Sequence, residues 1–187
     1  MDPRVARTRQ RLQQALLDLA GERPLDEITI GDITERAEVN RSSFYQHYGD
    51  KDSLLADALE AVLDAAAAPL RATAAQGEEV GMPPELEEYL RHIADNIALY
   101  RRVLGPHGSA VVAARLRRRV ELVVRETIGA DATGALEDVP LDVVGAGIAG
   151  TALGVISAWV EHDPLPPVDV AARWLDTVLR APARMLR

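Results

Sequence analysis

Residues 41–55 read Arg-Ser-Ser-Phe-Tyr-Gln-His-Tyr-Gly-Asp-Lys-Asp-Ser-Leu-Leu, and they decide the fold. They hold the only Phe of the chain (Phe44), two of its four Tyr (Tyr45, Tyr48) and its only Lys (Lys51). Phe44 and Tyr48 stand four residues apart, so they share one helix face, and Phe44 is expected in the core. Just upstream, Ile30 to Val39 has the pattern of a short amphipathic helix, and Glu38-Val39-Asn40 supplies a tight turn. Helix, short turn and a second helix opening on Arg and Ser make a helix-turn-helix, whose second helix enters the DNA major groove.

The surrounding chain is helical in pattern throughout. Val5 to Leu19 places Val5, Leu12, Ala15, Leu16 and Leu19 on one side, and Gly21 and Pro24 end that helix. Thr29 is a plausible N-cap for the helix over roughly 31–37. A third helix covers 41–47, Gly49-Asp50 breaks it, and a fourth starts at Lys51 with Leu54, Leu55, Ala58, Leu59 and Val62 as its apolar stripe. Pro69 is expected to kink or end that helix. Residues 76–84 and 129–140 read as loops. Between them lie a helical stripe from Glu85 broken near Asn96 and a helix from Ser109 to Ile128. Two last helices, 141–161 and 167–181, flank a proline-rich turn. No strand pattern or internal repeat is present, so the fold class is all-α.

The series Tyr45, His47, Tyr48 and Lys51 resembles the DNA-binding segment of TetR-family transcriptional regulators. Their pattern here is Tyr, any residue, His, aromatic, then Lys a few positions on. The resemblance is specific over residues 8–55; beyond, only helix number, the stretch Asn96 to Leu104 and the final helix pair fit. It implies an N-terminal three-helix DNA-binding domain at 1–50 and a C-terminal ligand-binding and dimerisation domain at 51–187, with about nine helices. It also implies a homodimer on a palindromic double-stranded operator, released when a small-molecule effector enters the C-terminal helices and pivots the fourth helix. Two other readings stay open: a DNA-binding regulator without a ligand, and a helical enzyme or carrier with a vestigial helix-turn-helix.

Arg41, Ser42, Ser43 and Gln46 lie on the N-terminal, outward side of the third helix. Arg pairs with guanine O6 and N7, Gln with adenine, and Ser with either, so Arg41 and Gln46 are the leading base readers. Tyr45 and His47 suit phosphate oxygens, as does Thr29 at the start of the second helix. Lys51 opens the fourth helix, where the dipole disfavours a cation, which makes a phosphate its expected partner. Gly31 stands where the family often has a basic or polar residue, which removes one backbone contact.

The formal net charge of −8 runs against a DNA binder. Residues 1–55 carry 8 Lys/Arg and 10 Asp/Glu, so even the proposed binding region is acidic in sum. Screening confines charge effects to roughly 8 Å at physiological salt, so placement outweighs the total. Arg4, Arg7, Arg9 and Arg11 cluster at the start, and Arg36, Arg41 and Lys51 flank the third helix. An acidic remainder predicts few phosphate contacts and a modest salt dependence.

Enzymatic signatures are missing. The chain has no Cys, its four His show no metal-ligand spacing, and no phosphate-binding loop or nucleophile elbow occurs. No cofactor or metal is expected. The N-terminus (Met1-Asp2-Pro3-Arg4) has no apolar run, so a cytoplasmic protein is expected.

Val143 to Val160 is 18 residues without a charge, the length of a membrane span, but eight of them are Gly or Ala. Membrane insertion is not expected. Gly147, Gly150 and Gly154 instead suit the close approach of another helix, and with Trp174 they are the expected dimer contacts. Apolar bodies with polar tips mark Tyr89, His92, Asn96, Tyr100 and Trp159 as effector-pocket candidates. The scarcity of aromatics predicts an aliphatic or modest-sized ligand, neutral or cationic.

Overall fold

The computed structural model describes residues 3–75, 84–105, 108–127 and 139–185, and among these all regular structure is helical. The helices are α1 (Pro3–Glu22), α2 (Ile30–Arg36), α3 (Arg41–His47), α4 (Lys51–Ala75), α5 (Pro84–Asp95), α6 (Ile97–Leu104), α7 (Ala110–Thr127), α8 (Leu141–Glu161) and α9 (Val168–Met185). A single 3-10 turn, Leu25–Glu27, precedes α2. The all-α expectation therefore holds, and α8 has the bounds expected for it. The loops expected at 76–84 and 129–140 fall almost wholly outside the described residues.

Local chemistry explains the boundaries. Thr29 caps α2 through a reciprocal box: its hydroxyl accepts from the Asp32 amide at 3.1 Å while the Asp32 carboxylate accepts from the Thr29 amide at 2.8 Å. The chain leaves α2 through Glu38, which sits at φ 53°, in the left-handed region. The Glu38 amide donates to Glu35 O and the Val39 amide to Thr34 O, both at 3.0 Å, the paired bonds of a Schellman ending. Asp50 then caps α4, its carboxylate accepting from the Ser53 amide at 2.7 Å.

Pro69 does not end α4, which runs on to Ala75. The amide that Pro69 lacks would have bonded Ala65, and both residues are exposed, so water can satisfy that carbonyl. The alanines at 65–68 favour helix on the N-terminal side.

The chain divides into two compact units, with α4 and α7 each contributing to both. The first comprises Met1–Ala61 and Asn96–Leu116. In it α1 packs on α2 and α6, and α2 on α3. Leu12, Leu16, Ile33, Phe44, Leu54 and Leu59 are fully buried there, as the helical spacing anticipated. The second unit comprises Val62–Asp95 and Arg117–Arg187, where α9 packs on α5 and α8. Leu90, Ile93, Trp159, Val160 and Leu175 are buried in that unit.

A left-handed non-glycine residue costs about 1–2 kcal/mol. The exposed ion pair that Glu38 makes with Arg11, at 2.7 Å, offsets well under that. Glu38→Gly is therefore expected to raise stability by about 0.5–1 kcal/mol in urea denaturation. A loss of stability would show that the Arg11 pair outweighs the backbone.

Candidate functional site

On α3, residues alternate between two environments set by the helical repeat. Phe44 and Tyr48 face inward, their ring centroids 5.9 Å apart. Arg41, Ser42, Tyr45 and Gln46 are exposed, with Ser43 and His47 half-buried. Tyr45 is 53% exposed, its ring meeting Phe44 edge-on at 5.4 Å. The outward set is thus a guanidinium, a hydroxyl, a carboxamide and a phenol on a helix backed by Phe44 and Tyr48. Among the described residues Arg41 makes no ion pair, so its charge faces solvent uncompensated.

The other basic groups nearby are largely spent within the protein. Arg36 bonds Glu22 in bidentate fashion at 2.8 and 2.9 Å, Arg11 bonds Glu38 at 2.7 Å, and Arg23 pairs with Asp32 at 2.9 Å. Lys51 differs from its expected phosphate role. Its ammonium donates to Leu25 O at 2.6 Å and Ile28 O at 2.8 Å, so two carbonyls of the segment before α2 answer the unfavourable dipole position. Only its third N–H is left over for a phosphate. Thr29 is similarly engaged, donating its hydroxyl proton to Asp32 at 2.8 Å.

Behind α3 lies a cluster that the sequence reading did not single out. The Asp57 carboxylate accepts two bonds from Arg9, at 2.7 and 2.8 Å, one from Gln13 at 2.7 Å and one from the Tyr48 hydroxyl at 2.6 Å. Arg9 also lies 5.8 Å from the Tyr48 ring centroid, within cation–π range. From α7, Arg115 reaches Asp57 at 3.4 Å and Glu60 at 2.6 Å.

Burial pulls the Asp57 carboxyl upward, but the bonds from Tyr48, Arg9 and Gln13 outweigh it and hold the group below its ordinary range. Tyr48 is pushed up to about 12, by burial first and then by its bond to Asp57. A signal was present in the sequence: Arg9 and Gln13 share a face of α1, and Asp57 interrupts the apolar run of α4.

The second unit holds a partly open cavity of about 170 Å³ lined by α4, α5, α7, α8 and α9. Leu63, Ala67, Val123, Leu153 and Leu175 are among its walls, and Tyr89 is the one pocket candidate that lines it. The other candidates have different settings. Trp159 is fully buried with its indole N–H donating to Pro166 O at 2.9 Å, a structural assignment. Asn96 and Tyr100 belong to the first unit. Burial pushes the half-buried His92 imidazole down in pKa, against the opposing charge of Asp95. A wider cleft of about 340 Å³ in the first unit is rimmed by Arg102 and Asp26, which pair with each other at 3.1 Å.

Residues 13–58 match the bacterial regulatory proteins of the tetR family. Over 56 residues the chain is 48% identical to the uncharacterized HTH-type transcriptional regulator YxbF of Bacillus subtilis (strain 168); that match spans 29% of this chain and 15% of YxbF. Solved structures extend the likeness along the whole fold. Thermus thermophilus FadR, a TetR-family repressor in complex with lauroyl-CoA, gives a TM-score of 0.60 at 22% identity, covering 91% of this chain and 92% of that one. A putative TetR-family regulator from Mesorhizobium loti MAFF303099 gives 0.60 at 16% identity, with 96% of each chain covered. Residues 13–58 are thus a tetR-family segment, and the fold as a whole is like that of TetR-family structures.

Outside the matched segment, α8 carries two contrasting sides. Ile148, Leu153 and Ile156 line the cavity, whereas a Cβ added at Gly147, Gly150 or Gly154 would meet nothing within 4 Å. Leu141 and Val143 on α8, and Trp174 and Val178 on α9, are exposed, Trp174 lying 5.5 Å from the His162 ring. By length and composition α8 could cross a membrane, with a mean hydropathy of 1.8, and a third of that window (33%) is buried within the protein.

The Asp57 cluster sets a pH dependence. A carboxyl depressed on folding contributes fully above its unfolded pKa, about 3.9, and loses that contribution as pH falls through the folded value. Asp57→Asn is expected to cost about 2–3 kcal/mol at pH 7, and below pH ~4 the gap from wild type should close. Urea titrations at pH 7, 4 and 3 check this; a pH-independent gap would show that Asp57 acts by shape alone.

Proposed function

We propose that the protein is a ligand-responsive DNA-binding transcriptional repressor, cytoplasmic and homodimeric, which releases a palindromic operator when a small molecule binds. The observation that carries this reading is α3 itself: an exposed Arg41, Ser42, Tyr45 and Gln46 on a helix anchored from behind by Phe44 and Tyr48. Arg41 and Gln46 read base edges; Ser42 and Ser43 reach bases or adjacent phosphates. Tyr45 and His47 bond the backbone, and Lys51 adds a phosphate contact with its third N–H, whereas Thr29 reaches a phosphate only by giving up its hydroxyl bond to Asp32. Residues 1–50 form the DNA-binding domain and 51–187 the regulatory and dimerisation domain.

Two further features support the rest of the reading. The open glycine stripe of α8, with Trp174 on α9, suits the close approach of the same helices from a second subunit. The apolar cavity suits an effector, and α4, which helps to wall it, is covalently continuous with α3 through Gly49-Asp50. A solved neighbour of the same fold holds an acyl-CoA. An effector that shifts α4 therefore has a route to the spacing of the two groove-reading helices, which a palindrome sets at one helical turn, about 34–36 Å.

Footprinting on the DNA upstream of the protein's own gene tests the reading directly. Arg41→Ala is expected to cost about 1–3 kcal/mol of operator affinity and to relax preference at one position per half-site, while Tyr45→Phe weakens all sequences alike. Unchanged affinity in Arg41→Ala removes that residue from the readout.

A Cβ at position 150 would meet no described atom of its own protomer within 4 Å, so Gly150→Leu should still fold. Sedimentation should find it shifted from dimer toward monomer, with operator binding lost. A wild-type monomer at micromolar concentration would overturn the dimer.

A further inference from the structure

The cavity of the second unit is defined by what its walls lack. Among the described residues that line it there is no Asp, Glu, Lys, Arg or His; apart from Tyr89 and Thr127, every one is Ala, Val, Leu or Ile. Thr127 already donates its hydroxyl to the Val123 and Val124 carbonyls, at 2.9 and 3.0 Å, so its proton does not await a ligand. A charged group entering such a space leaves its water shell and meets no counter-charge among the described walls, which costs several kcal/mol.

Size narrows the class as well. The volume, about 170 Å³, lies below the roughly 300–1,000 Å³ of drug-sized ligand sites. It is close instead to the roughly 150 Å³ apolar cavity that, in an unrelated lysozyme variant, stays dry and takes up benzene or xenon. A cavity without polar partners cannot hold ordered water, so its walls lose dispersion contacts until an apolar guest supplies them. Tyr89 from α5 contributes the one aromatic ring among these walls, next to branched aliphatics from α7 and α8.

From this we infer that the cavity binds one compact, uncharged hydrocarbon, a single ring or an aliphatic of comparable bulk, and discriminates against charged molecules of the same shape. The discrimination comes from unpaid desolvation and needs no repelling side chain. This identifies the chemical class of the effector and rests on the effector reading only for the consequence at DNA.

Binding is tested on the full-length protein without DNA, using benzene and cyclohexane against benzoate and benzylammonium. The two hydrocarbons should raise the melting temperature saturably, with one molecule per chain, and benzene protons should show nuclear Overhauser contacts to Val123 and Leu153 methyls. The two ions should bind at least about 100-fold more weakly. Ala67→Leu and Ala152→Leu, which project into the space, should each abolish the hydrocarbon shift. The Overhauser contacts on wild type decide the site even if a filled variant fails to fold.

Equal binding of benzoate or benzylammonium, no saturable binding of either hydrocarbon, or contacts to other methyls would overturn the inference. Operator release is measured separately. Hydrocarbon binding that leaves the operator bound removes the effector role and leaves the ligand class standing. Release by another compound, with no hydrocarbon bound, does the reverse.

Discussion

A single carboxylate, Asp57, holds α1, α3 and α4 in one arrangement. Five hydrogen bonds converge on it from Arg9, Gln13, Tyr48 and Arg115, and its side chain is only 13% exposed. Tyr48 matters most for α3, because it closes that helix and is bonded in turn by the α4 carboxylate. A half-buried acceptor of this kind is costly when alone and strongly specifying when saturated. The exposed face of α3 is thus presented at an angle fixed from behind, through polar bonds whose direction matters, where apolar packing alone would tolerate rotation. Such backing is what a groove-reading helix requires, since base-edge contacts fail over small displacements.

The same economy of charge resolves the acidic composition. Arg9, Arg11, Arg23 and Arg36 are each paired with a carboxylate in the first unit, so they add little field beyond it. Arg41 stands apart from these pairs. A surface arranged in this way gives weak attraction to DNA in general and leaves selectivity to few contacts, in keeping with a net charge of −8. Internal pairing, more than the sum of charges, governs what the surface presents.

Glycine and alanine give α8 a division of labour. Ile148, Leu153 and Ile156 face the cavity, while Gly147, Gly150 and Gly154 leave an open strip where an added Cβ would meet no described atom within 4 Å. Each glycine costs about 0.8–1 kcal/mol of helix propensity relative to alanine. The buried anchor Trp159, tied to Pro166, offsets this at the C-terminal end and secures the turn into α9.

Periodicity and capping, both short-range, were legible in the residues themselves. They located α3 and α8, the Thr29 cap of α2, the break at Asn96 and the burial of Phe44, because a helix repeats its environment every three or four positions. The chemistry of individual polar groups was not legible. Lys51 meets carbonyls 26 and 23 positions away, and Arg9 meets Asp57 across 48 positions. Pro69 was expected to kink or end α4, which runs on to Ala75, and Trp159, a pocket candidate, is fully buried with its indole N–H bonded to Pro166. Local sequence determines which face of an element is apolar; which donor finds which acceptor is decided only when distant segments pack. That selection depends on geometry between elements, which no window of neighbouring residues contains.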